Sequence, residues 1–167
     1  MPEAIHGKRI VYLYRLLSEA AQKAAAYVAF TTENSVTYSR DADSVATKDG
    51  NIRVPGAVEI EVSTTALLAK GDEMIGKLKD ALVNGELVEV WKVNMDEAGT
   101  GSNKFKATYF QGYVTEFEES ATAEDHVECS LSFGMNGKGA DGEATITEQQ
   151  QALIEEYGFK DTTAAGA

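Results

Sequence analysis

The chain has 167 residues, a size that suits one domain, and its 43% apolar content is ordinary for a globular protein. Its 27 acidic against 15 basic residues give a net charge of −12, the reverse of the clustered lysine and arginine that hold nucleic-acid phosphates, which argues against tight DNA or RNA binding. No apolar run approaches the roughly 18 residues of a membrane span. The N-terminus MPEAIHGKRI lacks a signal pattern, and the lone cysteine, Cys129, permits no internal disulfide, all of which fits folding in a reducing cytoplasm.

In chain order, residues 8–17 (KRIVYLYRLL) are β-branched and aromatic and predict a first strand. Residues 18–26 (SEAAQKAAA) predict a connection or one or two helical turns, being too short for a stable helix. Residues 27–40 return to strand character. Residues 41–56 (DADSVATKDGNIRVPG) are polar, hold Asp49-Gly50 and Pro55-Gly56 turn signals and lack an apolar period. They predict a long inter-strand loop, and such loops in compact domains are usually functional. Val58, Ile60 and Val62 alternate with Glu59, Glu61 and Ser63 as in a half-buried strand.

A helix is predicted over 71–83, where Met74, Ile75, Leu78, Ala81 and Leu82 form one stripe, Asp72 and Glu73 favour the positive dipole end, and Asn84-Gly85 supplies a stop. Three strands follow: 87–95, with Trp91, Val93 and Met95 on one face; 104–118, with Phe105, Ala107, Tyr109, Tyr113 and Phe117 on one face; and 127–135, with Val127, Cys129, Leu131, Phe133 and Met135 on one face. Residues 137–145 read as a glycine-rich loop, 146–159 as a short C-terminal helix, and 161–167 as a flexible tail after a single domain over 1–160. The fold class is mainly β (α+β): a β-sandwich or partly rolled barrel with one flanking helix.

From Ala107 to Asn136 there is no lysine or arginine, yet six acids occur. If Phe117 and Val127 both face the core, the hairpin parity puts Glu116, Glu118 and Glu128 together on the other face. The tightest register sets Glu116 directly across from Glu128, a repulsive pair that gives a monomer nothing. These three are candidates for an acidic cavity or lumen wall in an assembly, against the plainer reading of a solvated face.

Chemistry-bearing motifs are lacking. His6 and His126 have no second histidine or cysteine at metal-ligand spacing, and no Walker, GxGxxG, GxSxG or HExxH motif occurs. Asp41, Asp43 and Ser44 faintly resemble a calcium loop, but Ala46 stands where glycine belongs and Ile52 where the bidentate glutamate belongs. No catalytic residue, metal site or cofactor is assigned. Two other readings stand beside assembly: a β-sandwich carbohydrate- or protein-binding module using Tyr109 and Tyr113, and a small hydrolase with a carboxylate pair.

Three stretches carry a family resemblance: VTYSRDADSVATKDGNI (36–52), GYVTEFEESATAEDHVECSLSFGMNGKG (112–139) and GEATITEQQQALIEEYGFKDT (142–162). On them the chain resembles the major tail, or tail tube, proteins of long non-contractile-tailed phages of Gram-positive hosts. The resemblance implies a structural virion protein, not an enzyme. It would be made in the host cytoplasm and form homo-hexameric rings that stack head to tail into a tube for genome delivery. It also implies a loop reaching the neighbouring ring, here Arg40, Asp41, Asp43, Lys48 and Asp49. Implied partners are other copies of the chain and the tape measure, distal tail and tail terminator proteins, with DNA passing without tight binding.

Overall fold

The β-branched and aromatic runs pair into one seven-stranded antiparallel sheet in the computed structural model, which describes residues 2–154. The strands are β1 (Ile10–Leu16), β2 (Ala26–Tyr27), β3 (Thr31–Thr47), β4 (Gly50–Leu67), β5 (Val88–Ala98), β6 (Lys104–Ser120) and β7 (Glu128–Thr145), in the order β2-β1-β5-β6-β7-β4-β3. The helices are α1 (Glu73–Asn84) and α2 (Glu148–Ile154). The flexible tail and the end of the C-terminal helix expected from sequence lie outside the described residues.

The sheet is rolled. β1 and β4 stand far apart in strand order, yet the Tyr14 hydroxyl lies 2.5 Å from the Thr64 hydroxyl, Thr64 donates to Asn34 at 3.0 Å, and the Tyr14 ring stacks on Phe133. The roll stays open at a groove of about 1180 Å³ between β1 and β3, walled by Ile10, Tyr12, Lys92, Thr31 and Glu33. α1 plugs the concave side. Its buried stripe of Met74, Ile75, Leu78 and Ala81 joins Tyr14, Val62, Val90, Phe110, Leu131 and Phe133 in the main core. Asp72 caps it by accepting from the Met74 amide, and Gly85 closes it in the left-handed conformation at φ 68°.

The convex face is divided. Over β1, β5 and the first half of β6 it carries a second apolar cluster of Val11, Leu13, Val93, Met95, Ala144 and Ile146. Beside that cluster, buried Glu89 accepts from Arg15 at 2.9 Å and from the Tyr109 hydroxyl at 2.6 Å. The Arg15 guanidinium lies 5.0 Å from the Trp91 ring and donates to the carbonyls of Ala20 and Lys23. This fixes the connection after β1, which holds only a single 3-10 turn, Leu17–Glu19. Over the rest of the sheet the convex face is polar.

Four expectations are corrected. Residues 41–56 are not an irregular loop: β3 and β4 stay paired to the two-residue turn Lys48-Asp49. Tyr27–Arg40 is not one strand, because the chain turns at Val28–Phe30 between β2 and β3. The stretch after Asn136 is not a loop throughout: β7 bulges at 137–139, where Gly137 and Gly139 have positive φ, and then pairs again with β6. Phe117 does not share a face with Phe105, Ala107, Tyr109 and Tyr113. Val114 pairs with Phe133 and Glu116 with Ser132, so Thr115 is an extra residue that reverses the alternation. The core face of β6 is therefore Phe110, Val114 and, beyond the bulge, Phe117.

Candidate assembly interface

Two surfaces gather the residues singled out by sequence. The first is the outer part of the β3–β4 hairpin. β4 pairs with β7 only from Ile60 to Leu67, so the pairs from Arg40↔Val58 to Thr47↔Gly50 form a two-stranded arm with no third strand. At ~3.3 Å per residue it reaches about 25 Å. Every residue from 41 to 57 is exposed. Arg40 sits at the root, Asp41 opposite a bulge at Gly56-Ala57, Asp43 across from Val54, and Lys48 and Asp49 in the turn. Thr47 braces the turn by donating to the Gly50 carbonyl at 2.5 Å, and Arg53 bonds the Ala42 carbonyl at 2.9 Å.

Sequence reading picked the arm's charges and missed its apolar strip. Val45 pairs with Ile52, and Val54 lies diagonally beside them on the same face, exposed to 42%, 53% and 47%. The signal was there as a period of two, V-x-T on β3 and I-x-V on β4, hidden by the polar residues between. Isolated two-stranded hairpins are marginal in water, and this one carries an apolar strip that nothing else in the subunit covers among the described residues.

The second surface is the polar half of the convex face. The predicted parity holds, and Glu116, Glu118 and Glu128 share this face. The predicted contact does not. Glu116 pairs with Ser132, Glu118 with Ser130 and Glu128 with Ser120, because the connection between β6 and β7 is Ala121–Val127, longer than the tightest hairpin. The sheet carries the pattern onward: Ser132 pairs with Ser63 and Ser63 with Ser35, while Ser130 pairs with Thr65 and Thr65 with Glu33. Glu61, across from Thr37 and Gly134, and Glu59, across from Ser39, complete it. Hydroxyls separate the carboxylates, so like charges are spread instead of opposed. No lysine or arginine stands on this face among the paired residues.

This polar face ends at two strand edges unpaired among the described residues. One is the outer edge of β3. The other is β6 from Tyr113 to Ser120, beyond its last pair with β5 at Gly112↔Val88. At Gly112 a Cβ would lie 2.1 Å from the Gly134 carbonyl oxygen, so β6 and β7 meet there only because the residue is glycine.

No group of three or more His, Cys, Asp or Glu is placed to hold a metal among the described residues. Glu89, the buried acid, is held by Arg15 and Tyr109. Burial pushes the Cys129 thiol up, with Glu119, Asp72 and Glu128 adding to the shift, so the nucleophilic thiolate is disfavoured. The paired-tyrosine binding platform does not form, because Tyr109 packs on Trp91 at 5.2 Å and leaves Tyr113 exposed alone.

Known proteins match this architecture. A tail protein of Staphylococcus phage phiMR25 is 35% identical over 94% of this chain and 82% of its own length. The tail tube protein of Bacillus phage SPP1 is 28% identical over 95% of this chain, which spans only 60% of that protein. The SPP1 tail tube structure, solved by solid-state NMR and cryo-EM, shares the fold with a TM-score of 0.75 at 22% identity, over 97% of this chain and 96% of the other. The tail of a gene transfer agent particle, refined with C6 symmetry, follows with a TM-score of 0.62 at 13% identity, over 82% and 98%. The family model of the phage tail tube protein matches residues 4–141, and the chain belongs to that family.

Proposed function

We propose that the chain is the ring-forming subunit of a phage tail tube, with its polar convex face as the inner wall and its hairpin arm as the joint between stacked rings. One observation carries the reading: a continuous hydroxyl- and carboxylate-bearing sheet face, without lysine or arginine among its paired residues, bounded by two strand edges unpaired among the described residues. Open edges of this length are a liability in a free protein and are removed by pairing with identical copies. Pairing β3 of one copy with β6 of the next extends the four strands β6-β7-β4-β3 around a ring.

The dimensions are sensible. Six copies of four strands spaced ~4.8 Å apart give a circumference of about 115 Å and a backbone diameter of about 37 Å, before strand tilt widens it. Such a bore passes duplex DNA after side chains are allowed for. The six-fold number is carried over from the C6 tail of the gene transfer agent particle. Carboxylates facing DNA repel its phosphates, and hydroxyls keep the wall wet, so the genome slides without sticking. The arm, with Arg40, Asp41, Asp43, Lys48 and Asp49 flanking its apolar strip, covers that strip against the next ring. A head-to-tail contact of this kind does not close on itself and so yields a filament. Residues 1–160 act as one such unit. Tape measure, distal tail and terminator proteins are the expected partners at the ends, and the virion tail is the location.

Charge reversal tests the wall. Tubes carrying Glu61→Lys, Glu116→Lys and Glu118→Lys should retain DNA in low salt and release it steeply as salt rises, while wild-type tubes retain none. Reversed tubes that ignore DNA would remove these residues from the bore.

A further inference from the structure

Phe30 combines two features that rarely meet. It is a bulky residue in the left-handed region at φ 55°, and it is 59% exposed. An aromatic side chain at positive φ is a genuine outlier and persists only where the surroundings impose it. Here they do so from every side. Val28 is buried, the Ala29 amide donates to the Asp72 carboxylate at 3.3 Å, the Phe30 carbonyl accepts from the Leu67 amide at 3.0 Å, and the Thr31 hydroxyl donates to the Val28 carbonyl at 2.9 Å. The same Asp72 caps α1, so the turn is tied to the helix that plugs the core. Such a turn has no need of a phenylalanine for its own sake. Glycine would adopt it without strain, and more than half of the residue stays exposed.

An exposed aromatic on a turn whose backbone is held at a conformational cost is arranged for binding, because the backbone is ordered before the partner arrives. Leu68 follows the residue whose amide holds the Phe30 carbonyl and is 40% exposed, and Lys70 is exposed two residues further along the chain. We propose that Phe30, on the turn whose carbonyl the Leu67 amide holds next to exposed Leu68, is an anchor that inserts into a second copy of this chain. The occupant follows from charge and from assembly. A chain of net charge −12 offers an acidic surface to a lysine, and aromatic residues are enriched at the cores of interfaces. The anchor is separate from the arm and from the polar face, and it rests on the tube reading for its partner.

The experiment pairs Phe30→Gly with wild type in a folding measurement and an assembly measurement. Phe30→Gly should melt at or above the wild-type temperature, since the turn is relieved, yet need about tenfold or more protein to form rings or tubes, as loss of a hot spot predicts. A benzoyl-phenylalanine photo-cross-linker at position 30 should join subunits within tubes. Wild-type tubes that Phe30→Gly forms equally well, or a cross-linker that joins nothing to its neighbour, would overturn the anchor and leave the tube reading standing. A wild type that never assembles would overturn both.

Discussion

The arm offers the sharpest separation between folding and assembly. Consider Ile52→Ser together with Val54→Ser. Neither residue touches the core, and the arm pairs with no third strand, so the free subunit should lose little, within about 0.5 kcal/mol as for ordinary surface changes. In a stacked tube the case differs. The exposed parts of Val45, Ile52 and Val54 come to roughly 200 Å² of apolar surface, a gross gain of ~5 kcal/mol on burial at ~25 cal/mol per Å². Ordering the arm offsets part of this, and removing two of the three side chains should cost about 2 kcal/mol per ring contact. That is a rise of about 30-fold in the protein concentration at which tubes form. Urea melts of dilute protein report the first quantity, and sedimentation across a concentration series reports the second. A variant that melts with wild type and also assembles with wild type would refute the arm as a joint. A variant that melts several kcal/mol early would refute its independence from the core.

Leu78, which is 1% exposed and stands at the centre of the α1 stripe, should cost about 2–5 kcal/mol when changed to alanine, read as a lower urea midpoint with an unchanged m-value. Alkaline pH gives another check. Burial, with Tyr38 nearby, pushes the Tyr12 hydroxyl up to about 12, and burial pushes Tyr14 up despite its hydrogen bond with Thr64. Unfolded tyrosine titrates near 10, so between pH 10 and 12 the unfolded chain releases protons that the folded chain retains. Stability should therefore hold up to about pH 10 and then fall, by up to ~1.4 kcal/mol per pH unit for each tyrosine, and Tyr12→Phe should reduce the slope. Stability that stays level to pH 12 would contradict the buried placement.

What was legible in the sequence follows the strength of local signals. α1 was readable because cap, stripe and stop agree: Asp72, the Met74–Ala81 face and Gly85 all stand where helix chemistry wants them. The parity of the β6–β7 hairpin was readable because Cys129, Leu131 and Phe133 leave one choice of face, although the extent of the connection was not. The Thr115 bulge was invisible, since nothing in V-T-E-F marks an extra residue; its hydroxyl donates to the Ser132 carbonyl only once the strands are paired. The arm read as a loop because its pairing is made by backbone and turn and not by a buried face, and its local signs, Asp49-Gly50 and the short alternation of Val45, Ile52 and Val54, lie among polar residues. The bonds that close the roll, from Tyr14 to Thr64 and Asn34, and the Arg15–Glu89 pair join residues that are distant along the chain, and no local pattern announces them.

The central claim is that copies of this chain join edge to edge with the polar sheet face inward. Cryo-EM of tubes grown from concentrated purified protein tests it most directly. The account predicts stacked rings of six in which Glu61, Glu116 and Glu118 line the bore and β3 of each subunit lies against β6 of its neighbour. Tubes with those glutamates on the outer surface, or a protein that stays monomeric at every concentration, would contradict it.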